Sequence, residues 1–159
     1  MSLVIRRVRE GDVSALVAIL APSVSSEQVS HRWQEDRDGY REMLVAELDG
    51  EVAGTVSSTR HHFQLPESLR MLALDVGHGS RRRGVGTALI KAVEDKARRE
   101  DLRNVNLEVA LENCAALRLY KGLGYHRLPE PVVIRWTRLA EDGRCEEVEE
   151  ESWVMMKEL

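Results

Sequence analysis

The apolar positions of this chain change period several times, and each change marks an element. Leu3 to Val8 is apolar-rich and reads as a first strand. After Gly11-Asp12, apolar residues recur at helical spacing through Leu16, Val17, Ile19 and Leu20, and Pro22 ends the run. Ser25 or Ser26, followed by polar residues, predicts a second helix to about Asp36. Met43 to Leu48 and Val52 to Thr59 are two strands joined by Asp49-Gly50, a strong two-residue hairpin signal. A loop containing Pro66 follows, from Arg60 to Ser68. The apolar run Met71 to Val76 then feeds a glycine-containing turn and an amphipathic run, Thr87 to Arg98. Val105 to Leu111 is a strand and Asn113 opens a helix. Beyond Pro129 and Pro131, Val132 to Glu141 and Arg144 to Lys157 form a second hairpin over Asp142-Gly143. A two-residue turn there sets Arg138 opposite Glu147 and Arg135 opposite Glu150, which ties two of the five carboxylates of Glu146 to Glu151 to register; the competing reading of the run, in which Glu146, Glu149 and Glu151 lack such partners, is attraction of a cationic ligand. The order is β-α-α-β-β-β-α-β-α-β-β. Its central strand–helix–strand crossover implies one parallel pair, with antiparallel strands on either side.

The turn before the central helix carries the chemistry. It reads Arg81-Arg82-Arg83-Gly84-Val85-Gly86-Thr87. The first N–H groups of a helix have no partner within it, and the dipole adds partial positive charge there. Gly84 and Gly86 lack a Cβ, so backbone can approach a ligand closely. With three arginines beside it, this is a place for a phosphorylated ligand, best a pyrophosphate. No Walker string occurs, and Arg82 stands where the dinucleotide motif begun by Gly77-His78-Gly79 needs its third glycine.

Arg-x-x-Gly-x-Gly after a strand ending in Val resembles the coenzyme A-binding motif of GNAT-type (GCN5-related) N-acetyltransferases. A second segment matches the same family: an apolar strand, Asn113, Ala116, Tyr120, then Leu123-Gly124-Tyr125. Residues 113, 116 and 120 fall on one helical face. The resemblance extends loosely over nearly the whole chain. It implies an α/β GNAT fold: one mixed, mostly antiparallel sheet whose central parallel strands splay to admit coenzyme A. It also implies acyl transfer from acetyl-coenzyme A to a primary amine of a small molecule or protein, by direct attack. By this resemblance, Arg81, Arg82, Arg83, Gly84, Val85, Gly86 and Thr87 would bind the pyrophosphate. Backbone of Leu74 and Val76 would meet the pantetheine arm, and Asn113 and Ala116 would line it. Tyr120 would be the general acid. Many family members carry a carboxylate near the start of the phosphate-site strand, where this chain has Arg70. An alternative base is Glu108, which alternation sets on the polar face of its strand; Asp75, Glu67, His78 and a water chain are others. His61-His62 lies in a loop that could border the acceptor.

Composition narrows the alternatives. At 159 residues the expectation is a single domain over residues 1–159. A net charge of −4 disfavours a nucleic-acid partner. The longest apolar run, Ala15 to Ala21, is too short to span a membrane and argues against a signal peptide. Cys114 and Cys145 lack metal-site spacing, so no metal is expected, and a reduced, cytoplasmic setting fits. Cys114 is expected to pack in the interior. A noncatalytic acyl-coenzyme A sensor is the rival from another class, and a homodimer fits the family's habit of pairing through sheet edges.

Overall fold

Asp49 and Gly50 both take positive φ, 53° and 85°. That is the geometry of a tight two-residue hairpin, and it pairs Leu48 with Glu51. In the computed structural model, which describes residues 1–60 and 65–159, this hairpin joins β2 (Glu42–Leu48) to β3 (Glu51–Thr59). Before it come β1 (Leu3–Arg7), α1 (Asp12–Leu20) and α2 (Ser26–Arg37). Ser25 caps α2 by accepting from the Gln28 N–H. After it come β4 (Ser68–Val76), a short turn at His78–Ser80, α3 (Val85–Arg99), β5 (Asn104–Ala110), α4 (Cys114–Gly122), β6 (His126–Arg127), β7 (Val132–Leu139) and β8 (Cys145–Glu158). The short β6, which pairs with β8, adds to the expected order. The His61-His62 pair lies outside the described residues.

Among the described residues the strands form one sheet, ordered β1-β2-β3-β4-β5-β8-β6, with β7 also on β8. Among the described residues only β4 and β5 run parallel. One face is covered by α3, whose Val85, Leu89, Ile90, Val93 and Ala97 are buried against Val56, Leu69, Met71, Val105 and Leu107. Each large side chain buried there contributes roughly 1.5–3 kcal/mol. The other face packs Leu16, Leu20, Val24 and Val29 against Met43 and Val45.

Two irregularities shape the centre. The β3–β4 register shifts between Thr55 and Ser57, and Ala73 takes a φ of 53°. This bulge exchanges the faces of β4. Leu69 and Met71 join the α3-side core before it, whereas Leu74 and Val76 pack there after it, and Asp75 points to the opposite side and pairs with Arg32. The second is Gly54. A Cβ there would lie 2.9 Å from the Asp75 carbonyl oxygen and 3.2 Å from Val85 Cγ1, so only glycine lets β4 and α3 close on β3.

The distal hairpin differs from its expected register. Arg135 pairs with Glu149, Arg138 with Glu146, and Leu139 with Cys145. The turn holds three residues, Glu141 to Gly143, with Gly143 at φ 82°. A type I turn followed by a left-handed glycine adds one residue to the loop, and every opposing pair slips by one. Ion pairing across the strands survives with new partners, Arg135–Glu149 at 3.1 Å and Arg138–Glu146 at 3.4 Å.

Candidate active site

The parallel pairing of β4 and β5 is brief. Ser68, Leu69 and Arg70 pair with Asn104, Val105 and Asn106, and no pairing continues beyond them. The facing edges of Met71–Val76 and Leu107–Ala110 therefore lack a strand partner between them, while their outer edges pair with β3 and β8. Two edges that diverge in this way can take an extended, amide-bearing ligand between them. A cleft of about 680 Å³ opens there, lined by Leu74, Ala110, Asn113, Ala116 and Tyr120 among others.

The phosphate end is built by the turn into α3. Gly84 is the N-cap residue at φ 82°, Arg82 is also left-handed at 63°, and no side chain caps the helix. Its first N–H groups are therefore left for a ligand. Val85 is 1% exposed, packed in the core, so it can offer a ligand only backbone. Arg81, Arg82, Arg83 and Gly84 are exposed. A Cβ at Gly86 would meet only Val76 Cγ2, at 3.7 Å. The fold itself tolerates a side chain there, and the space beyond is what glycine keeps open. Uncapped amides, a bare Gly86 and a parted strand pair together fit the pyrophosphate and pantetheine arm of coenzyme A.

On α4, Asn113 caps the helix by accepting from the Ala116 N–H at 3.2 Å. One turn on, Tyr120 is 9% exposed and packs edge-on against Tyr125, with ring centroids 5.7 Å apart. Its hydroxyl has no hydrogen-bond partner among the described residues. Burial first, then the charge of Asp75, pushes its pKa up to about 12. It is a neutral donor throughout the physiological range. Cys114 is exposed at the first position of α4, which corrects the expectation that it packs inside: this end of α4 borders open solvent.

The other end of the cleft lies between α2 and the sheet and is lined by arginines. Arg32 pairs with Asp75 at 2.9 Å, Arg41 with Glu35 at 2.9 Å, and Arg70 with Glu108 at 3.0 Å. Glu108 gives both carboxylate oxygens to Arg70 Nε. His31 stands beside Glu35 at 3.4 Å and also lines the cleft. No residue of α2 stands among the site candidates drawn from the sequence, although Gln28, His31, Arg32 and Glu35 all line the cleft. The available signal was its composition: Ser-Glu-Gln-Val-Ser-His-Arg-Trp-Gln-Glu-Asp-Arg is polar nearly all round, with Val29 its one fully buried residue, as expected of a helix that faces a cleft.

The β7–β8 hairpin roofs this end through Ile134, Trp136 and Thr137. Its tip is tied to the start of α2. Ser25 donates to the Leu139 carbonyl, Gln28 Oε1 accepts from the Leu139 N–H at 2.8 Å, and Ser26 N–H donates to Glu141 at 2.7 Å. The Ser26 hydroxyl and N–H hold the Glu141 carboxyl below its ordinary range.

A parallel pair parted over a cleft, beside an uncapped glycine-rich helix start, is a geometry that can seat an extended phosphorylated ligand, and Tyr120 lines the same cleft. The family is given by comparison. The family model for the acetyltransferase (GNAT) family matches residues 13–125. An N-alpha-acetyltransferase of Sulfurisphaera tokodaii is 31% identical over 132 residues, 76% of this chain and 78% of that one. An uncharacterized N-acetyltransferase of Methanocaldococcus jannaschii is 31% identical over 109 residues, 67% of this chain; the chain spans about half of that relative, 46%. Among solved structures, a ribosomal-protein-alanine N-acetyltransferase from Brucella melitensis superposes with a TM-score of 0.70 at 24% identity, covering 98% of this chain and 99% of that one. A putative acetyltransferase from Salmonella typhimurium, solved with its cofactor acetyl-CoA, superposes at 0.68 and 21% identity, covering 100% and 95%. This chain belongs to the GNAT family of acetyltransferases, whose members use acetyl-coenzyme A.

Proposed function

We propose that this protein transfers the acetyl group of acetyl-coenzyme A to a primary amine held at the α2 end of the cleft. The parting of β4 and β5 beyond Arg70, with Tyr120 at the far side of the gap, carries this reading. The co-substrate supplies an activated thioester. Backbone N–H groups from Arg82 to Thr87 would hold its pyrophosphate, the β4 edge at Leu74 and Val76 its amides, and Asn113 and Ala116 would flank the arm. Tyr120 donates a hydrogen bond to the departing sulfur. Because burial holds its proton so firmly, Tyr120 steadies negative charge there more than it gives the proton up.

Glu108, which alternation singled out as a base, is bound to Arg70, so we assign it the placing of that guanidinium. Among the cleft-lining groups, Glu35 also holds an arginine and Glu150 holds the Trp136 N–H at 3.0 Å. Proton acceptance falls to His31, the imidazole that lines the cleft beside Glu35. The acceptor is an α-amine at a peptide or protein N-terminus or on a small molecule. The names of the Sulfurisphaera relative and the Brucella enzyme support the peptide end.

Thiol release from acetyl-coenzyme A across a panel of amines, with binding of coenzyme A followed by calorimetry, tests this reading. Turnover with at least one amine is expected. Binding without turnover on any amine would make the protein a sensor of acyl-coenzyme A, and no binding would remove the co-substrate assignment.

A further inference from the structure

Arg70 stands in one row across the sheet, with Thr59 of β3 on one side and Asn106 of β5 on the other. Arg41, just before β2, and Arg32, on α2, line the same cleft. Burial pulls the Arg41 guanidinium below its ordinary value. The charges of Arg32 and Arg70 act in the same direction, against the opposing pull of Glu35. The three guanidinia therefore crowd one another. Each holds a carboxylate of this chain, but they are not equally committed. Arg41 uses both terminal nitrogens, one on Glu35 and one on Ser57. Arg70 meets Glu108 through Nε alone. Its two terminal nitrogens, with four N–H groups, have no partner among the described residues, and its side chain is 23% exposed where the cleft opens.

We propose that Arg70, backed by Arg41 and Arg32, binds a carboxylate on the acceptor, so that the preferred substrate is an amine that carries a negative charge close to its nitrogen. The fork of a guanidinium matches a carboxylate through paired N–H bonds, and an acceptor anion would occupy the donors that Glu108 leaves free. The cluster also selects against the opposite chemistry. An amine with further positive charges meets like charge at Arg70, which costs affinity. Of the acidic hairpin, Glu146 and Glu149 are engaged by Arg138 and Arg135, and only Glu150 lines the cleft, where it accepts from the Trp136 N–H. The proposal rests on the acetyl-transfer reading, and its carboxylate has two sources: the α-carboxylate of a free amino acid, or an acidic side chain next to a peptide's N-terminus.

The experiment titrates acetylated products into the full chain, with and without coenzyme A, and follows heat. N-acetyl-L-alanine against N-acetyl-L-alaninamide probes the free amino acid. N-acetyl-Ala-Glu-amide against N-acetyl-Ala-Gln-amide probes the peptide. In at least one pair the carboxylate is expected to bind about tenfold or more tightly than its amide, as for a hydrogen bond to a charged group. That pair names the source. Arg70→Gln alone takes the guanidinium from Glu108, so the test variant is Arg70→Gln with Glu108→Gln, which removes the pair together. In it the preference should vanish while coenzyme A binding stays. Equal binding within both pairs, no binding of any of the four, or a preference that survives in the double variant each overturns the proposal. Loss of coenzyme A binding by the wild type would instead strike the acetyl-transfer reading.

Discussion

Replacing Tyr120 by Phe removes one oxygen and little else. The ring keeps its edge-on contact with Tyr125, and no hydrogen bond among the described residues is broken. The fold should therefore keep its stability. The catalytic effect can be worked from the pKa. A phenol pushed up to about 12 faces a thiol at about 8.5, so full transfer of its proton to the sulfur runs uphill by roughly 3.5 units, about 5 kcal/mol. A hydrogen bond to the charge growing on sulfur is the cheaper route. Bonds to charged groups contribute roughly 1.5–3 kcal/mol, which corresponds to about a 10- to 150-fold fall in kcat for Tyr120→Phe. The two routes separate with pH. If Tyr120 had to deliver the proton, the defect would shrink above about pH 8.5, where a thiolate can depart unassisted. If it steadies charge, the ratio of wild-type to mutant kcat stays level from pH 6.5 to 9.5. Thiol-release kinetics across that range, beside calorimetric titration of acetyl-coenzyme A, makes the measurement. A ratio that collapses toward one as pH rises would refute the hydrogen-bond argument. An unchanged kcat at every pH would leave Tyr120 a packing residue.

Gly86→Glu should fold normally, since its Cβ meets only Val76 at 3.7 Å, yet weaken coenzyme A binding by placing bulk and negative charge beside the pyrophosphate; wild-type affinity in calorimetry would remove the loop from the site. Gly54→Ala should lower the melting temperature, by a few kcal/mol of stability if the strain is not relieved, because its Cβ would press on the Asp75 carbonyl at 2.9 Å; a melting temperature equal to wild type would show that α3 shifts freely. His31→Gln should lower kcat while leaving coenzyme A affinity in calorimetry unchanged, and a wild-type kcat assigns proton acceptance to another group. Tyr120 and Tyr125 both have raised pKa values, so their folded forms keep protons that the unfolded chain loses above about pH 10. Stability should be unaffected by them below pH 10 and fall as pH rises toward 12, less steeply in Tyr120→Phe; a flat melting temperature through that window would contradict the burial.

Much of this was legible because it is local. Asp49-Gly50 has the residues for two successive positive φ values and sits between two apolar strands, so the hairpin and the two pairs next to its turn follow from six or so residues, and a bulge shifts the register beyond Glu47. Asn113, Ala116 and Tyr120 share a helical face by spacing, and the structure lines the cleft with all three. The distal hairpin shows the limit of such reasoning. Asp142-Gly143 has the composition of a two-residue turn, but Glu141 joins the loop, and one residue moved every pair. Arg70–Glu108 was illegible for another reason. Each was seen alone, one as a base missing and the other as a base present, and their pairing depends on where a parallel register starts. The arginines of the acceptor end come from three separate elements, and no spacing in the chain announces their meeting.

The parting of β4 and β5 has a mechanical consequence. Within the sheet, the half built on β1 to β4 is joined to the half built on β5 to β8 by three residue pairs at one end, with α3 lying across both. That junction is a seam, and under the proposed function the co-substrate would be the stitching that runs along its open length. A ligand that binds only the closed seam stabilises the native state by RT ln(1 + [L]/Kd). Exchange of the backbone amides of β4 and β5 should then slow together as coenzyme A is added. Occupancy and cohesion of the sheet would then be one variable, and the concentration of acetyl-coenzyme A would set how firmly the two halves of this protein hold as well as how fast it works.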